Sequence, residues 1–157
     1  MVRVIEPYLG QRILEIGAGI GNISRQLPKR ELLTVSDIDE TYLRLLEDAF
    51  RGNELTQVIR LDLGSDEDSA RVSERYDTIV CLNVLEHIRD DESALRRMRT
   101  LLAPKGRLVL LVPQYPALYG AYDRELGHFR RYRYGRSDHV PPGKNTSLAG
   151  IIPDLRG

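Results

Sequence analysis

The sequence predicts an α/β fold, a doubly wound and mostly parallel sheet with helices on both faces. Three observations carry that expectation. Five short apolar runs of β type recur along the chain, each closed by a glycine, a proline or a polar residue. Helical periodicity fills most of the intervals between them. Alternating strands and helices make consecutive strands parallel, joined by right-handed crossovers. In such sheets, ligands bind beyond the carboxyl ends of the strands.

The elements follow in order. Arg12 to Ile16 is the first run and ends in a glycine cluster, with Ile20 to Leu27 read as the next helix. Leu32 to Val35 ends at Ser36-Asp37 and precedes a helix over Thr41 to Phe50, with Leu43, Leu46 and Phe50 at helical spacing. Val58 to Leu61 ends at Asp62, and Thr78 to Leu82 ends at Asn83. A helix over Asp91 to Leu102 puts Leu95, Met98, Leu101 and Leu102 on one face. Asp90 or Asp91 caps it, and Pro104-Lys105-Gly106 stops it. Leu108 to Val112 is apolar at every position, the mark of a strand covered on both faces. Gly17, Asp37, Asp62 and Asn83 each stand just after a strand, where this architecture places its chemistry. From Ser137 the pattern fades into three prolines and three glycines, so a domain over 1–136 and a poorly ordered tail over 137–157 are expected.

At 157 residues the chain has room for one domain, and a core of that size folds without disulfides. A single cysteine, Cys81, excludes an internal disulfide and a multi-cysteine zinc site. No apolar run approaches the length of a membrane span, and the first residues are too polar for a signal peptide. A cytoplasmic location is therefore expected. The 23 basic residues balance the 23 acidic ones, which disfavours nucleic acid as a partner.

The sharpest motif is Glu15-Ile16-Gly17-Ala18-Gly19-Ile20-Gly21-Asn22. Glycines at a strand-to-helix turn let a ligand approach the backbone closely. A dinucleotide fingerprint needs G-x-G-x-x-G, and here the third glycine comes one residue early. That spacing disfavours a nicotinamide-dependent oxidoreductase. Glu15 is a poor neighbour for pyrophosphate and suits a ligand that carries an ammonium group.

With Ser36-Asp37-Ile38-Asp39, Asp62, the stretch Tyr76 to Ile88 and Leu102 to Leu108, the loop resembles the class I S-adenosylmethionine-dependent methyltransferases. The resemblance runs from about Ile13 to Tyr132. It implies a Rossmann-like sheet of order 3-2-1-4-5 and S-adenosylmethionine as cofactor. Gly17, Ala18, Gly19 and Gly21 would then hug the methionine and ribose, with Glu15 near the amino group. Asp37 would accept from both ribose hydroxyls, because a carboxylate has acceptor sites for two donors. Ile38 would pack on the adenine, Asp62 would accept from its amino group beside the Leu63 backbone, and Asn83 and Val84 would line the methionine end. Asp39 is read instead as the cap of the following helix.

The implied activity is methyl transfer to a small-molecule acceptor. Alignment and desolvation supply most of the acceleration of such a transfer, and a general base matters when the acceptor is a hydroxyl or an acidic amine. His87 and His128 are the catalytic candidates. Glu86, His87 and His128 could gather a divalent ion, as Glu-x-x-Glu-His with a further His does in some members. Asn83 stands at the first Glu position, and no metal is expected. Tyr115 to Arg136 holds five of the eight tyrosines and five arginines, read as a lid whose arginines hold an acceptor carboxylate or phosphate. The family's C-terminal hairpin is expected to be missing, since no strand signal follows Tyr134. That would leave the Leu108 to Val112 edge open to self-association. A non-catalytic S-adenosylmethionine-binding fragment or regulatory module is the alternative reading.

Overall fold

The computed structural model describes residues 2–133 and 151–153. Its strands are β1 (Arg12–Ile16), β2 (Leu32–Asp37), β3 (Thr56–Arg60), β4 (Tyr76–Leu82), β5 (Leu102–Leu111) and β6 (Ile151–Pro153). They form one sheet in the order β3-β2-β1-β4-β5-β6. The first five strands are parallel, as alternation with helices requires. The order reverses between β1 and β4, so a crevice opens at their carboxyl ends.

Successive residues of the central strands feed opposite layers. Ile13, Val80 and Val109 pack with Ile5 on one face, where the short helix α1 (Val2–Ile5) lies. Leu14, Ile79, Cys81, Leu108 and Leu110 pack on the other against Ala94, Met98 and Leu101 of α4 (Asp91–Leu101). Burial on both faces explains why these strands read as unbroken apolar runs.

Helix α2 (Glu40–Ala49) begins at Asp39, whose carboxylate accepts from the Thr41 amide at 2.7 Å, as the sequence suggested. Leu46 packs beside Val35 and Ala18. Helix α4 is capped by Asp90, which accepts from the Ser93 amide at 3.0 Å.

Three expectations need correction. The helix expected over Ile20 to Leu27 is a set of turns with one 3₁₀ turn at Ser24–Gln26. Gly17, Gly19 and Gly21 all take positive φ, at 69°, 55° and 79°, so no right-handed helix starts before Asn22, and Pro28 follows within two turns. A segment that short does not repay helix nucleation.

Helix α3 (Asp66–Arg71) was not foreseen. Ser65 accepts from the Asp68 amide at 3.3 Å and three acidic residues fill the first turn, a start signal visible in Ser65-Asp66-Glu67-Asp68.

The third correction concerns the edge of β5. Ile151–Pro153 pairs antiparallel with it, Val109 opposite Ile151 and Arg107 opposite Pro153. Two β-branched residues suit a strand, and proline is tolerated on an edge. The edge expected to be open to self-association is therefore covered over Arg107 to Val109 by the chain itself. Just beyond β5, Tyr132 donates its amide to the Pro113 carbonyl at 2.8 Å and bridges Gln114. The expected boundary at 136 and most of the expected tail lie outside the described residues.

Candidate active site and cofactor cleft

A cleft of about 700 Å³ lies at the carboxyl ends of β1, β2 and β4. Gly17 and Gly19 line it from the first loop, Asp37 and Ile38 from the second strand end. Asp62 and Leu63 close one side, Asn83, Val84 and His87 the other. Nine of the residues singled out in the sequence thus meet in one place, although they span the chain from 17 to 87. Glu15, Ala18, Gly21 and His128 do not line it.

Backbone geometry shapes the first wall. A Cβ on Gly17 would overlap the Val84 side chain across the cleft, so this loop and the β4 loop sit as close as their atoms allow. Nothing stands within 4 Å of where a Cβ on Gly19 would be, which leaves that backbone open to the cleft. Asn83 takes a left-handed φ of 55°, tolerated by its short polar side chain, and its amide donates to the Leu111 carbonyl at 2.8 Å.

Asp37 is buried and already bonded. Its Oδ2 accepts from the Gly19 amide at 2.8 Å, and its Oδ1 from the amides of Ile38 and Asp39 at 2.8 and 3.0 Å. The carboxylate therefore ties β2 to the glycine loop and keeps one lone pair, on Oδ2, for a further donor, where the sequence suggested two. Ile38 is 59% exposed beside it, an apolar surface that lines the cleft. Asp62 accepts from the Gly64 amide at 2.7 Å in a tight turn.

Glu15 lies beneath the loop. Burial pushes its carboxyl up to about 7. Its Oε2 has no hydrogen-bond partner among the described residues. An orphaned buried carboxylate oxygen below a glycine loop is a fit for a cation, such as the ammonium group of an amino-acid-bearing cofactor.

A second wall, the segment after β5, stands behind the His87 side of the cleft and does not line it. It forms a 3₁₀ turn at Pro116–Leu118 and helix α5 (Ala121–Glu125), then meets Gln114, just past β5, through Tyr132. Asp123 is buried at its centre. It accepts from Arg131 Nε at 2.6 Å and from the Gly120 amide at 3.0 Å, and it lies 3.1 Å from His128 Nδ1. The bond from Arg131 holds the Asp123 carboxyl well below the usual carboxylate range. The arginines expected to hold an acceptor anion are thus partly committed elsewhere. Arg131 pairs with Asp123 and Arg130 with Asp91, because two buried or half-buried carboxylates of this wall need counter-charges.

His128 meets His87 edge to face, with ring centroids 4.7 Å apart. Glu86 lies beside them, almost wholly buried, and burial raises its carboxyl above the ordinary value. The Phe129 amide donates to the Glu86 carbonyl at 2.8 Å and fastens the two segments together. Sequence reasoning grouped Glu86 with the two histidines but missed Asp123 as part of this arrangement. Asp123 carried a local signal, since it lies five residues before His128 in a segment with few other acids.

Residues 14–108 match the family model described as a methyltransferase domain. A ubiquinone biosynthesis O-methyltransferase of Aeromonas salmonicida is 31% identical over 105 residues, covering 64% of this chain and 42% of its own length. A ubiquinone/menaquinone biosynthesis C-methyltransferase, UbiE, of Vibrio parahaemolyticus is 29% identical across 92% of this chain and 63% of its own. The chain therefore spans less than two thirds of these relatives. The crystal structure of the CurJ carbon methyltransferase is similar with a TM-score of 0.60 at 30% identity, over 73% of this chain and 32% of that one. The N-methyltransferase NodS of Bradyrhizobium japonicum, solved with S-adenosyl-L-homocysteine, shares the fold with a TM-score of 0.66 at 23% identity, over 82% and 63% of the two chains. With its parallel sheet, its glycine loop and its acidic strand ends, this chain belongs to the methyltransferase domain family, of the class I S-adenosylmethionine-dependent type.

Proposed function

We propose that the protein transfers a methyl group from S-adenosylmethionine to a small-molecule acceptor. The observation that carries the reading is the meeting of the glycine loop, Asp37 and Asp62 in one cleft above buried Glu15, whose Oε2 has no hydrogen-bond partner among the described residues. Bound there, the cofactor supplies a sulfonium methyl that an acceptor can attack in line.

The protein's part is to bind and to align. Gly17, Ala18, Gly19 and Gly21 bring the backbone against the methionine and ribose. Glu15 neutralises the ammonium. Asp37 turns its remaining Oδ2 lone pair to the ribose hydroxyls while its bonded ones keep the loop in place. Exposed Ile38 covers the adenine, Asp62 with the Leu63 backbone reads its edge, and Asn83 and Val84 flank the methionine end. Preorganised alignment accounts for most of the acceleration. His87 on the cleft wall and His128 behind it are the groups that take a proton when the acceptor is a hydroxyl or an ammonium. Asp123 positions His128 through Nδ1 and so leaves Nε2 for that contact. Balanced charge supports a small acceptor over nucleic acid, and the single buried thiol, Cys81, suits the cytoplasm.

Calorimetric titration of the full chain with S-adenosylmethionine, S-adenosyl-L-homocysteine and NAD tests the cofactor. Saturable binding of the first two and none of the third is expected. Binding of NAD alone overturns the reading.

A further inference from the structure

We propose that Arg89 holds an anionic group of the methyl acceptor, a carboxylate or a phosphate, at the rim of the cleft. This assignment, which rests on the methyl-transfer reading, narrows the acceptors to molecules that carry a negative charge apart from the atom that receives the methyl group.

Arg89 is exposed and lines the cleft two residues past His87, between the 3₁₀ turn Leu85–His87 and α4. Among the described residues it is the only lysine or arginine that lines it. Its neighbours fix its place. Asp90, the next residue, caps α4 through the Ser93 amide. The Arg89 carbonyl accepts from the Arg130 guanidinium. The Arg89 guanidinium stands over the Phe129 ring, 5.2 Å from its centroid, and Phe129 is fastened to the Glu86 carbonyl by its amide.

A cation over an aromatic ring is held by the ring's face and consumes no hydrogen bond. The guanidinium therefore keeps its planar fork of N–H donors for a ligand. Arg130 and Arg131 have spent theirs on Asp91 and Asp123, whereas Arg89 has no carboxylate partner among the described residues. A positioned arginine with unspent donors suits bidentate binding of a carboxylate or phosphate.

The charges across the cleft set the direction of the acceptor. Asp37, Asp39 and Asp62 line the cofactor side and repel an anion there, while Arg89 attracts it to the opposite rim. An anionic acceptor is thus turned with its charge outward at Arg89 and its nucleophilic atom inward, past His87. The cofactor carries a carboxylate too. Glu15 draws the cofactor's amino-acid end beneath the glycine loop after β1, whereas Arg89 follows the β4 loop beyond His87, so the acceptor is the assigned source.

NMR of the arginine Nε–Hε groups tests the site in the full chain, with and without saturating S-adenosyl-L-homocysteine. The probes are benzoate and its uncharged counterpart benzamide. Benzoate is expected to shift the Arg89 signal saturably, and benzamide is not. Arg89→Gln is expected to weaken benzoate binding about tenfold or more, the loss of a charge-assisted bond. Its affinity for S-adenosyl-L-homocysteine is expected to stay nearly unchanged, which also shows that the variant is folded. An equal response to benzamide, or no response of Arg89 to benzoate, overturns the proposal. Loss of S-adenosyl-L-homocysteine affinity in Arg89→Gln also overturns it, since the arginine then serves the cofactor's carboxylate. If the parent binds no S-adenosyl-L-homocysteine, the cofactor reading falls, and the cofactor-free titration still decides whether Arg89 takes an anion.

Discussion

On the cofactor side of the cleft, backbone groups tie each strand end to its neighbour: Asp37 takes the Gly19 amide, Ala18 bonds the Ser36 carbonyl and Asn83 the Leu111 carbonyl. Behind the opposite side, Asp123, His128 and Arg131 are held by one another, side chain to side chain, in a segment fastened to the rest of the fold through Phe129 to Glu86, Arg130 to Asp91 and Tyr132 to Pro113. The first wall inherits the rigidity of five parallel strands. The second depends on one buried carboxylate that three groups share. A cofactor site built the first way persists in the empty protein, whereas a site built the second way is only as stable as its charge network.

The largest effect that separates the two walls is expected from Asp123→Ala. Removing this carboxylate strands Arg131 and His128 without their shared partner, and truncating one member of a buried network leaves the others uncompensated. Amide hydrogen exchange is the measurement. Residues from Tyr115 to Arg133 are expected to exchange like an unstructured peptide, with the amides of β1, β2 and β4 unchanged. If protection falls equally in both regions, the walls form one cooperative unit and the contrast fails.

The same contrast decides how much could be read in the sequence. Gly17, Asp37, Asp62 and Asn83 follow apolar runs directly, so strand periodicity alone put them at one edge of a sheet, and the cleft followed. Asp39 could be read as a cap for the same reason, since its partner is two residues away. The Asp123–Arg131 and Arg130–Asp91 pairs were not legible. They join residues 8 and 39 positions apart through side chains whose directions no period sets. The β6 strand was hidden for another reason. It is three residues long, ends in proline and sits among glycines, so only Ile151-Ile152 pointed to it. The helix expected over Ile20 to Leu27 failed because the loop that makes the site uses up the residues that would have started it.

A second test bears on the rigid wall. Glu15 has a folded-state value raised by burial to about 7 from an ordinary 4.5, so the folded protein holds this proton more tightly than the unfolded chain. The stabilising contribution is fully present below pH 4.5 and is lost as pH rises to about 7, at a total of about 3 kcal/mol. Denaturant unfolding of the parent chain against Glu15→Gln, at pH 5 and pH 8, isolates it from other carboxylates. The parent is expected to lose stability relative to the variant on going to pH 8. Saturating S-adenosyl-L-homocysteine is expected to remove most of that loss, because its ammonium group stabilises the ionised carboxylate. A difference between parent and variant that stays flat with pH would mean that Glu15 is ionised throughout and already has a partner.

The smallest and finest test sets Asp37 against Asp39, two carboxylates two residues apart on the rigid wall. Asp39 bonds one amide, that of Thr41, at the exposed start of α2. Asp39→Ala is expected to cost about 1 kcal/mol of stability, the usual effect of losing a cap, and to leave affinity for S-adenosyl-L-homocysteine nearly unchanged. Asp37 bonds three amides, one of them in the glycine loop, and is the assigned acceptor for the ribose. Asp37→Ala is expected to weaken binding by roughly 2 kcal/mol or more, about thirtyfold, because bonds to a charged acceptor are each worth about 1.5–3 kcal/mol. Part of that loss is structural, since the Gly19 amide is released as well. Asp37→Asn separates the parts. An amide oxygen in place of Oδ1 still accepts from Ile38 and Asp39, while its NH2 group opposes the Gly19 amide, so the turn survives and the link to the loop does not. If Asp37→Asn binds as weakly as Asp37→Ala while its melting temperature stays close to the parent's, the charge and the loop link set affinity. If Asp39→Ala proves the weaker binder of the two alanine variants, the roles of the two carboxylates are reversed and the assignment of the ribose site falls.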